Sequence, residues 1–461
     1  MIFAPSTVQF DATLLQKYDR PLPRYTSYPT AAELTPEFDE HCFRDAIAAS
    51  NQRKTPLSLY AHIPFCQSAC YFCGCNVIVT KSQTAAQSYL DYLVREIQQT
   101  AALVDRDRPV MQMHWGGGTP NYLTLEQVEL LWNALHRHFQ FAPEAEISIE
   151  VNPRYINRDY ILGLREIGFN RISFGIQDFN PQVQAAVNRV QPEALLFDVM
   201  SWVRAAKFDS VNVDLIYGLP YQSLQSFTET IQKTIALDPD RIAVFSFAYI
   251  PWIKAVQKNI AEQTLPSASE KLDILQMAIE TLTRSEYQYI GMDHFAKPDD
   301  ELAVAQRQGT LKRNFQGYTV LPDAELLGFG LTSISMLHDA YAQHHKQLQT
   351  YYRAVERGEL PIERGVKLNP DDIVRRQIIM ELMCQFQVSK PDIEARYNLN
   401  FDQYFARELQ DLTSLEADGL VSVDRDSVQI TPVGRLLIRN IASVFDAYLH
   451  NKTISNFSKS I

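Results

Sequence analysis

The sequence predicts an α/β fold: a partial six-unit barrel of parallel strands and helices, preceded by an arm and followed by a mostly helical, winged-helix-like domain. Two observations carry that prediction. From Leu57 to Ala248, short β-branched or aromatic runs alternate with helical patterns, the signature of parallel strands joined by crossovers. The unusual sequences all begin where these strands end: HIPFCQSACYFCGC, GGGTP, EVNPR, GIQDFN, DLIYGLP and FAYIP. Chemistry therefore gathers at the C-terminal rim of the strands, as in barrel enzymes.

The expected strands are Leu57–Ile63, Val110–Trp115, Glu146–Val151, Arg171–Ile176, Val211–Tyr217 and Arg241–Ala248. Between the first two, Leu90, Leu93, Val94, Ile97, Ala101 and Val104 fall on one helical face, the spacing of a buried stripe. The next helix opens on a capping box, Thr124 with Gln127 three residues on, and carries Val128, Leu131, Trp132, Leu135 and Phe139. Gly168 should end a helix begun near Asn157. After Tyr318 the helical pattern dominates, and the segment from Asp371 reads as helices followed by two short strands in GLVSVDRDSVQITPVGRLL. The expected domains are an arm at 1–56, holding PLPRYTSYPT, a catalytic core at 57–335, and a C-terminal domain at 336–461.

The chain has 461 residues, 46% of them apolar, and a formal charge of -11. A net acidic chain is poorly suited to neutralising phosphates, so no nucleic-acid partner is expected. The final domain carries ten basic and thirteen acidic residues from Asp371 onward, which argues for a structural or lid role rather than DNA binding. No apolar run reaches the roughly 18 residues of a bilayer span, and the first twenty residues show neither a secretory nor an Arg-rich transit pattern. A cytoplasmic monomer without a membrane partner is the expectation.

Four of six cysteines, Cys66, Cys70, Cys73 and Cys75, fall within ten positions. Structural zinc favours two cysteine pairs, and no second pair exists. Three thiolates spaced C-x3-C-x2-C in a loop suit a 4Fe-4S cluster whose fourth iron is left open for a small molecule. Cys75, only two residues beyond Cys73, is expected beside the cluster without ligating it. His62 alternates with Tyr60 along the preceding strand and so shares its face near the loop, where it is either a satisfied core histidine or a donor to the cofactor; Tyr60 and His62 are the candidate catalytic residues.

The segment YAHIPFCQSACYFCGCN resembles the signature of the radical S-adenosylmethionine superfamily. With WGGGTPNYL, ISFGIQDFN, VDLIYGLP, IGMDHFAKPDDELAVAQ, RNFQGYT, GRLLIRNI and the PRYTSYPT of the arm, the chain is similar over almost its whole length to the oxygen-independent coproporphyrinogen III oxidases. The resemblance implies a cluster held by Cys66, Cys70 and Cys73, and two molecules of S-adenosylmethionine as co-substrates. Tyr60, Gly117, Glu150 and Ile334 would line the first. Phe72, Gly118, Thr119, Gln177, Arg189, Asp214 and Ala248 would line the second.

It further implies that a 5'-deoxyadenosyl radical drives oxidative decarboxylation of two propionates of coproporphyrinogen III to vinyl groups, giving protoporphyrinogen IX for haem synthesis. A flavodoxin- or ferredoxin-like reductant and an electron acceptor would be needed. Arg24 and Arg313 are candidates for the substrate's carboxylates. The rival reading is a haem-binding chaperone of the same superfamily; relatives of that kind lack an arm like PRYTSYPT and a segment like RNFQGYT, both present here.

Overall fold

The computed structural model describes residues 8–321 and 324–449. The first seven residues of the expected arm and the last twelve of the C-terminal domain lie outside the described residues. The chain forms two compact units: Leu34–Lys271 with Asp323–Lys367, and Met1–Glu33 with Leu272–Pro322 and Leu368–Ile461. These differ from the expected 1–56, 57–335 and 336–461.

In the first unit, ten strands form one sheet. They are β1 (Leu57–Ile63), β2 (Val110–Gly117), β3 (Phe141–Val151), β4 (Arg171–Gln177), β5 (Ser210–Tyr217), β6 (Arg241–Ser246), β7 (Glu325–Phe329), β8 (Ile334–Met336), β9 (Ala340–His344) and β10 (Ile362–Lys367). Strands β1 to β6 neighbour one another in chain order and pair in parallel. Helices Gln83–Ala101, Leu125–His138, Arg158–Ile167, Glu193–Ala205 and Leu224–Leu237 connect them. The Thr124–Gln127 capping box forms with both reciprocal bonds, and Gly168 ends its helix at φ +129°. Their apolar stripes bury Leu90, Leu93, Ile97, Leu131, Leu135, Ile161 and Leu164 completely.

On the other side of β1 the sheet continues through parallel β7 into antiparallel β8, β9 and β10. Sequence periodicity anticipates helix here, and the reason it misleads is burial. Every residue of β7 and β9 is buried, so no alternation of apolar and polar faces marks them. The expected boundary at 335 falls inside β8. Another departure lies in the arm, where Glu40–Asn51 is a helix capped by Asp39, with Phe43, Ala46 and Ile47 buried at i, i+3 and i+4.

The second unit gathers the N-terminal segment with the end of the chain. Arg439 Nε donates to the Pro23 carbonyl at 3.0 Å, Tyr25 Oη donates to Asp446 at 3.0 Å, and the Tyr28 and Tyr448 rings meet edge to face. Arg24 is ion-paired with Asp293. Arg313 is buried with its guanidinium 4.6 Å from the Tyr318 ring centre. From Pro370 onward, helices Pro370–Gln385, Lys390–Tyr397 and Ala406–Ala417 accompany a three-stranded antiparallel sheet of Gln387–Ser389, Ser427–Ile430 and Val421–Val423, in that spatial order. The last two strands are those the sequence predicts.

Candidate functional site

The C-terminal ends of β1 to β5 open on one cavity of about 420 Å³. Cys66, Cys70, Phe72, Cys73, Cys75, Gly117, Gly118, Thr119, Glu150, Gln177, Arg189 and Asp214 all line it. Residues separated by up to 148 positions are thus drawn together by the parallel register, which puts Ile63 beside Gly117, Glu150 beside Ser173 and Gly175 beside Asp214. Tyr60, His62, Ala248 and Ile334 are not among its lining residues.

The cysteine loop is pinned at several points by backbone groups. Ile78 N–H donates to the Pro64 carbonyl at 2.7 Å, Thr80 N–H to Cys66 at 3.0 Å, and Tyr71 N–H to Val187 at 3.0 Å. Asn188 Nδ2 adds a bond to the Ala69 carbonyl at 2.7 Å. Two cations face Cys70: Arg154 Nη2 and Arg189 Nη1 each lie 3.6 Å from its sulfur. The Cys66 sulfur is 3.3 Å from Thr119 Oγ1. Burial pushes the Cys66 thiol up to about 11, whereas a hydrogen bond from Cys75 lowers Cys73, with Lys254 and Arg189 adding positive charge nearby. Among the described residues, no three His, Cys, Asp or Glu side chains converge as a single-ion site.

The glycines at the end of β2 are explained by what surrounds them. Gly117 adopts φ +113°, and a Cβ there would stand 2.6 Å from the His62 ring. Gly118 N–H donates to Ile63 at 2.8 Å, which presses the two backbones together. His62 itself is buried and pushed down to about 4 by that burial, so the imidazole is neutral at physiological pH. Its Nε2 lies 3.3 Å from the Asn76 carbonyl and its Nδ1 3.1 Å from Tyr60 Oη. A carbonyl only accepts, which assigns the proton to Nε2 and leaves Nδ1 to accept from Tyr60.

Sequence reasoning passed over several contributors. His114 stacks on Tyr60 at 5.9 Å and reaches Glu150 Oε1 at 3.2 Å, while Ser148 holds its other nitrogen at 2.6 Å. Its position two residues before Gly116 on the same strand face was the available signal. Arg154 and Ser173 sit at or beside the cavity within EVNPR and ISFGIQDFN but are not singled out there, and Lys254 lines it outside any quoted motif. Asp214 is pushed up to about 6, chiefly by burial and then by the Glu150 charge, and Asn212 Nδ2 bonds it at 2.8 Å. Two buried atoms facing this region, Gln177 Oε1 and Arg189 Nε, have no hydrogen-bond partner among the described residues. An orphaned acceptor and an orphaned cationic donor in one cavity are what a polar zwitterionic ligand would satisfy.

Residues 60–234 match the radical SAM superfamily, and residues 368–437 match the family described as HemN C-terminal domain. The protein is therefore a radical SAM protein, a class that implies a 4Fe-4S cluster and S-adenosylmethionine. The chain is 60% identical over 460 residues to the oxygen-independent coproporphyrinogen III oxidase of Synechocystis sp., covering 99% of each. It is 50% identical to that of Escherichia coli, over 98% of this chain and 99% of the relative. The solved structure of the Escherichia coli coproporphyrinogen III oxidase, described as a radical SAM enzyme, superposes with a TM-score of 0.92 over 96% of this chain and 100% of that one. The chain belongs to the family of oxygen-independent coproporphyrinogen III oxidases.

Proposed function

We infer that this protein is an oxygen-independent coproporphyrinogen III oxidase, converting two propionates of coproporphyrinogen III to vinyl groups and yielding protoporphyrinogen IX. One observation carries the reading beyond family membership: twelve residues named from separate motifs line a single cavity at the strand ends. In the proposed arrangement Cys66, Cys70 and Cys73 hold the cluster, and Cys75 remains beside it. Tyr60, Gly117, Glu150 and Ile334 serve a first S-adenosylmethionine; Phe72, Gly118, Thr119, Gln177, Arg189, Asp214 and Ala248 serve a second. When bound, the cluster and its co-substrate supply a 5'-deoxyadenosyl radical.

The chain's own residues then have definable tasks. The neutral His62 fixes the Tyr60 hydroxyl and, through Nε2, the Asn76 end of the cysteine loop. His114 orients Glu150, whose other oxygen is left for an ammonium or a ribose hydroxyl. Arg189 and Gln177 offer a donor and an acceptor to a carboxylate and an amine. Arg24 and Arg313 are proposed for the substrate's carboxylates; Arg313 Nε and Nη1 find no partner among the described residues. For each propionate, one hydrogen, one carbon dioxide and one electron leave, so an electron acceptor is required as well as a flavodoxin- or ferredoxin-like reductant.

In the same reading the six parallel units curve as a partial barrel and the C-terminal segment is a winged helix, supported by strand order and by the sequence of its helices and strands. A cytoplasmic monomer is proposed; among the described residues no helix is long and apolar enough to cross a membrane. The test is anaerobic turnover. Reconstituted protein with reductant, S-adenosylmethionine and coproporphyrinogen III should form protoporphyrinogen with two equivalents each of carbon dioxide and 5'-deoxyadenosine. Tight haem binding without turnover would favour the chaperone reading instead.

A further inference from the structure

Beneath the Gln177 and Arg189 side of the cavity lies a buried polar network that the reaction itself does not use. Gln177 has φ +68°, and the Asp178 N–H donates to the Ile176 carbonyl at 2.9 Å, so a γ-turn closes around Gln177 at the end of β4. A non-glycine residue in this conformation is strained and persists only when its surroundings over-determine it. Here they do. Gln191 Nε2 donates to the Ile176 carbonyl at 2.6 Å, and Gln184 Nε2 donates to the Asp178 carbonyl at 2.8 Å.

The Asp178 side chain, 1% exposed, is the hub. Its Oδ1 accepts from Asn180 N–H at 2.6 Å and from Thr230 Oγ1 at 3.0 Å, and its Oδ2 accepts from Gln222 Nε2 at 2.6 Å. Gln222 in turn accepts from Leu219 N–H at 2.8 Å and donates to the Ile216 carbonyl at 2.8 Å, joining the turn after β5. Gln184 Oε1 accepts from Gln191 N–H at 2.8 Å, and the backbone between them carries Arg189, whose Nη2 reaches the Gly175 carbonyl at 2.8 Å.

We propose that Asp178 is a positioning residue: with Gln184, Gln191, Gln222 and Thr230 it locks the γ-turn at Gln177 and the Arg189 segment in the geometry that receives a second S-adenosylmethionine. The inference rests on the reading that Gln177 and Arg189 serve that molecule. The geometry supports it independently, because both side chains that leave polar atoms unpaired in the cavity issue from this network and none issues from the cluster loop. A carboxylate is needed at the hub because three donors converge on it and no donor is returned.

The experiment is equilibrium binding of labelled S-adenosylmethionine to the anaerobically reconstituted, cluster-containing protein, with cluster absorbance measured on the same samples. The parent should bind two molecules. Asp178→Asn replaces one acceptor oxygen with a donor opposite Gln222, and should weaken one site by tenfold or more while cluster content and the other site stay at parent values. Gln222→Glu in the same chain, kept protonated by burial among neutral groups, accepts from the new amide while its hydroxyl takes over the bond to the Ile216 carbonyl, and should restore the second site.

Two undiminished sites in Asp178→Asn, or no recovery in the double variant, would overturn the positioning role. A single site in the parent would overturn the two-molecule reading on which it rests, a distinguishable failure. Should Asp178→Asn lose its cluster, Thr230→Val removes one bond to the hub and is judged by the same comparison, with a threefold or larger weakening of one site expected. Equal loss at both sites in Thr230→Val would show a support of the fold in general and refute the proposal.

Discussion

Gly118 sets the spacing between the end of β2 and the start of the cysteine loop, and Gly118→Ala should measure how much that spacing matters. A Cβ at Gly118 would stand 2.7 Å from the Pro64 carbonyl carbon and oxygen and 2.8 Å from the Phe65 oxygen. Carbon contacts become comfortable at about 3.5 Å, so the opposing backbone would have to retreat by roughly 0.8 Å. Backbone cannot rotate aside as a side chain does, and Cys66 follows Phe65 directly. Overpacking of this kind costs about 1 to 3 kcal/mol, and a misplacement near 1 Å at a reacting centre costs on the order of a hundredfold in rate. Gly74 provides the control, since it lies in the same loop with nothing within 4 Å of its would-be Cβ. In anaerobic assays of S-adenosylmethionine cleavage at matched cluster content, Gly118→Ala should be slowed by about ten- to a hundredfold, and Gly74→Ala should match the parent. Parent-like turnover in Gly118→Ala, or an equal loss in Gly74→Ala, would refute the steric argument.

Cys75→Ser should keep the cluster absorbance that Cys70→Ser abolishes; retention of the cluster in Cys70→Ser would remove that residue from the ligand set. The fully buried Glu96 is pushed up by burial from 4.5 to about 8, and its neighbour His344 is pushed down from 6.5 to about 4. A carboxyl raised in the fold loses stability as pH climbs from 4.5 to 8, whereas a histidine lowered in the fold gains it from 4 to 6.5, so the two oppose until the histidine contribution ends. Between pH 6.5 and 8 the parent should therefore lose about 2 kcal/mol relative to Glu96→Gln, measured as a difference in urea midpoints; a constant difference would contradict it. Arg108 and Glu325 form an ion pair with side chains 1% and 5% exposed. Glu325→Leu alone strands a buried cation and should cost about 3 to 5 kcal/mol, while the Arg108→Met, Glu325→Leu double variant should recover much of that. Chemical denaturation decides it, and a double variant no better than the single would exclude the desolvation argument.

The part of this fold that is legible in the sequence is the part whose two strand faces differ from their flanking helices. Strands β1, β2, β3 and β5 could be placed because Val, Ile and aromatic runs end abruptly at Pro64, Gly116, Asn152 and Gly218, and β4 and β6 by their β-branched and aromatic runs between helical patterns. Strands β7 and β9 could not, because fully buried short strands carry no period, and β8 and β10 are too short or too irregularly buried to show one. Helical periodicity likewise hides Glu96, which lies fully buried on the core face of Gln83–Ala101 among Leu93, Ile97 and Thr100. Only tertiary structure shows why it is tolerated. Glu96 accepts from Gly330 N–H at 3.0 Å and from Tyr351 Oη at 2.5 Å, with His344 Nδ1 3.3 Å away. At the site, the cysteines and the three glycines announce themselves by spacing, whereas His114, Arg154 and Lys254 contribute single residues to a surface assembled by register.

The same contrast separates two ways of holding a cavity wall. On the cluster side, position is fixed by steric contact of backbone with backbone, at Gly118 against Pro64, and of backbone with an imidazole, at Gly117 against His62. Such contacts demand a glycine at a fixed offset, which is why they survive in the chain as a contiguous motif. On the Gln177 and Arg189 side, position is fixed by hydrogen bonds among Asp178, Gln184, Gln191, Gln222 and Thr230, whose order along the chain has no constraint beyond the fold. A donor and an acceptor can exchange places across such a bond, so a second substitution can repair a first. No side chain can make room for a Cβ pressed against a carbonyl. Defects on the network side should therefore be repairable by complementary swaps, and those at Gly118 should not be.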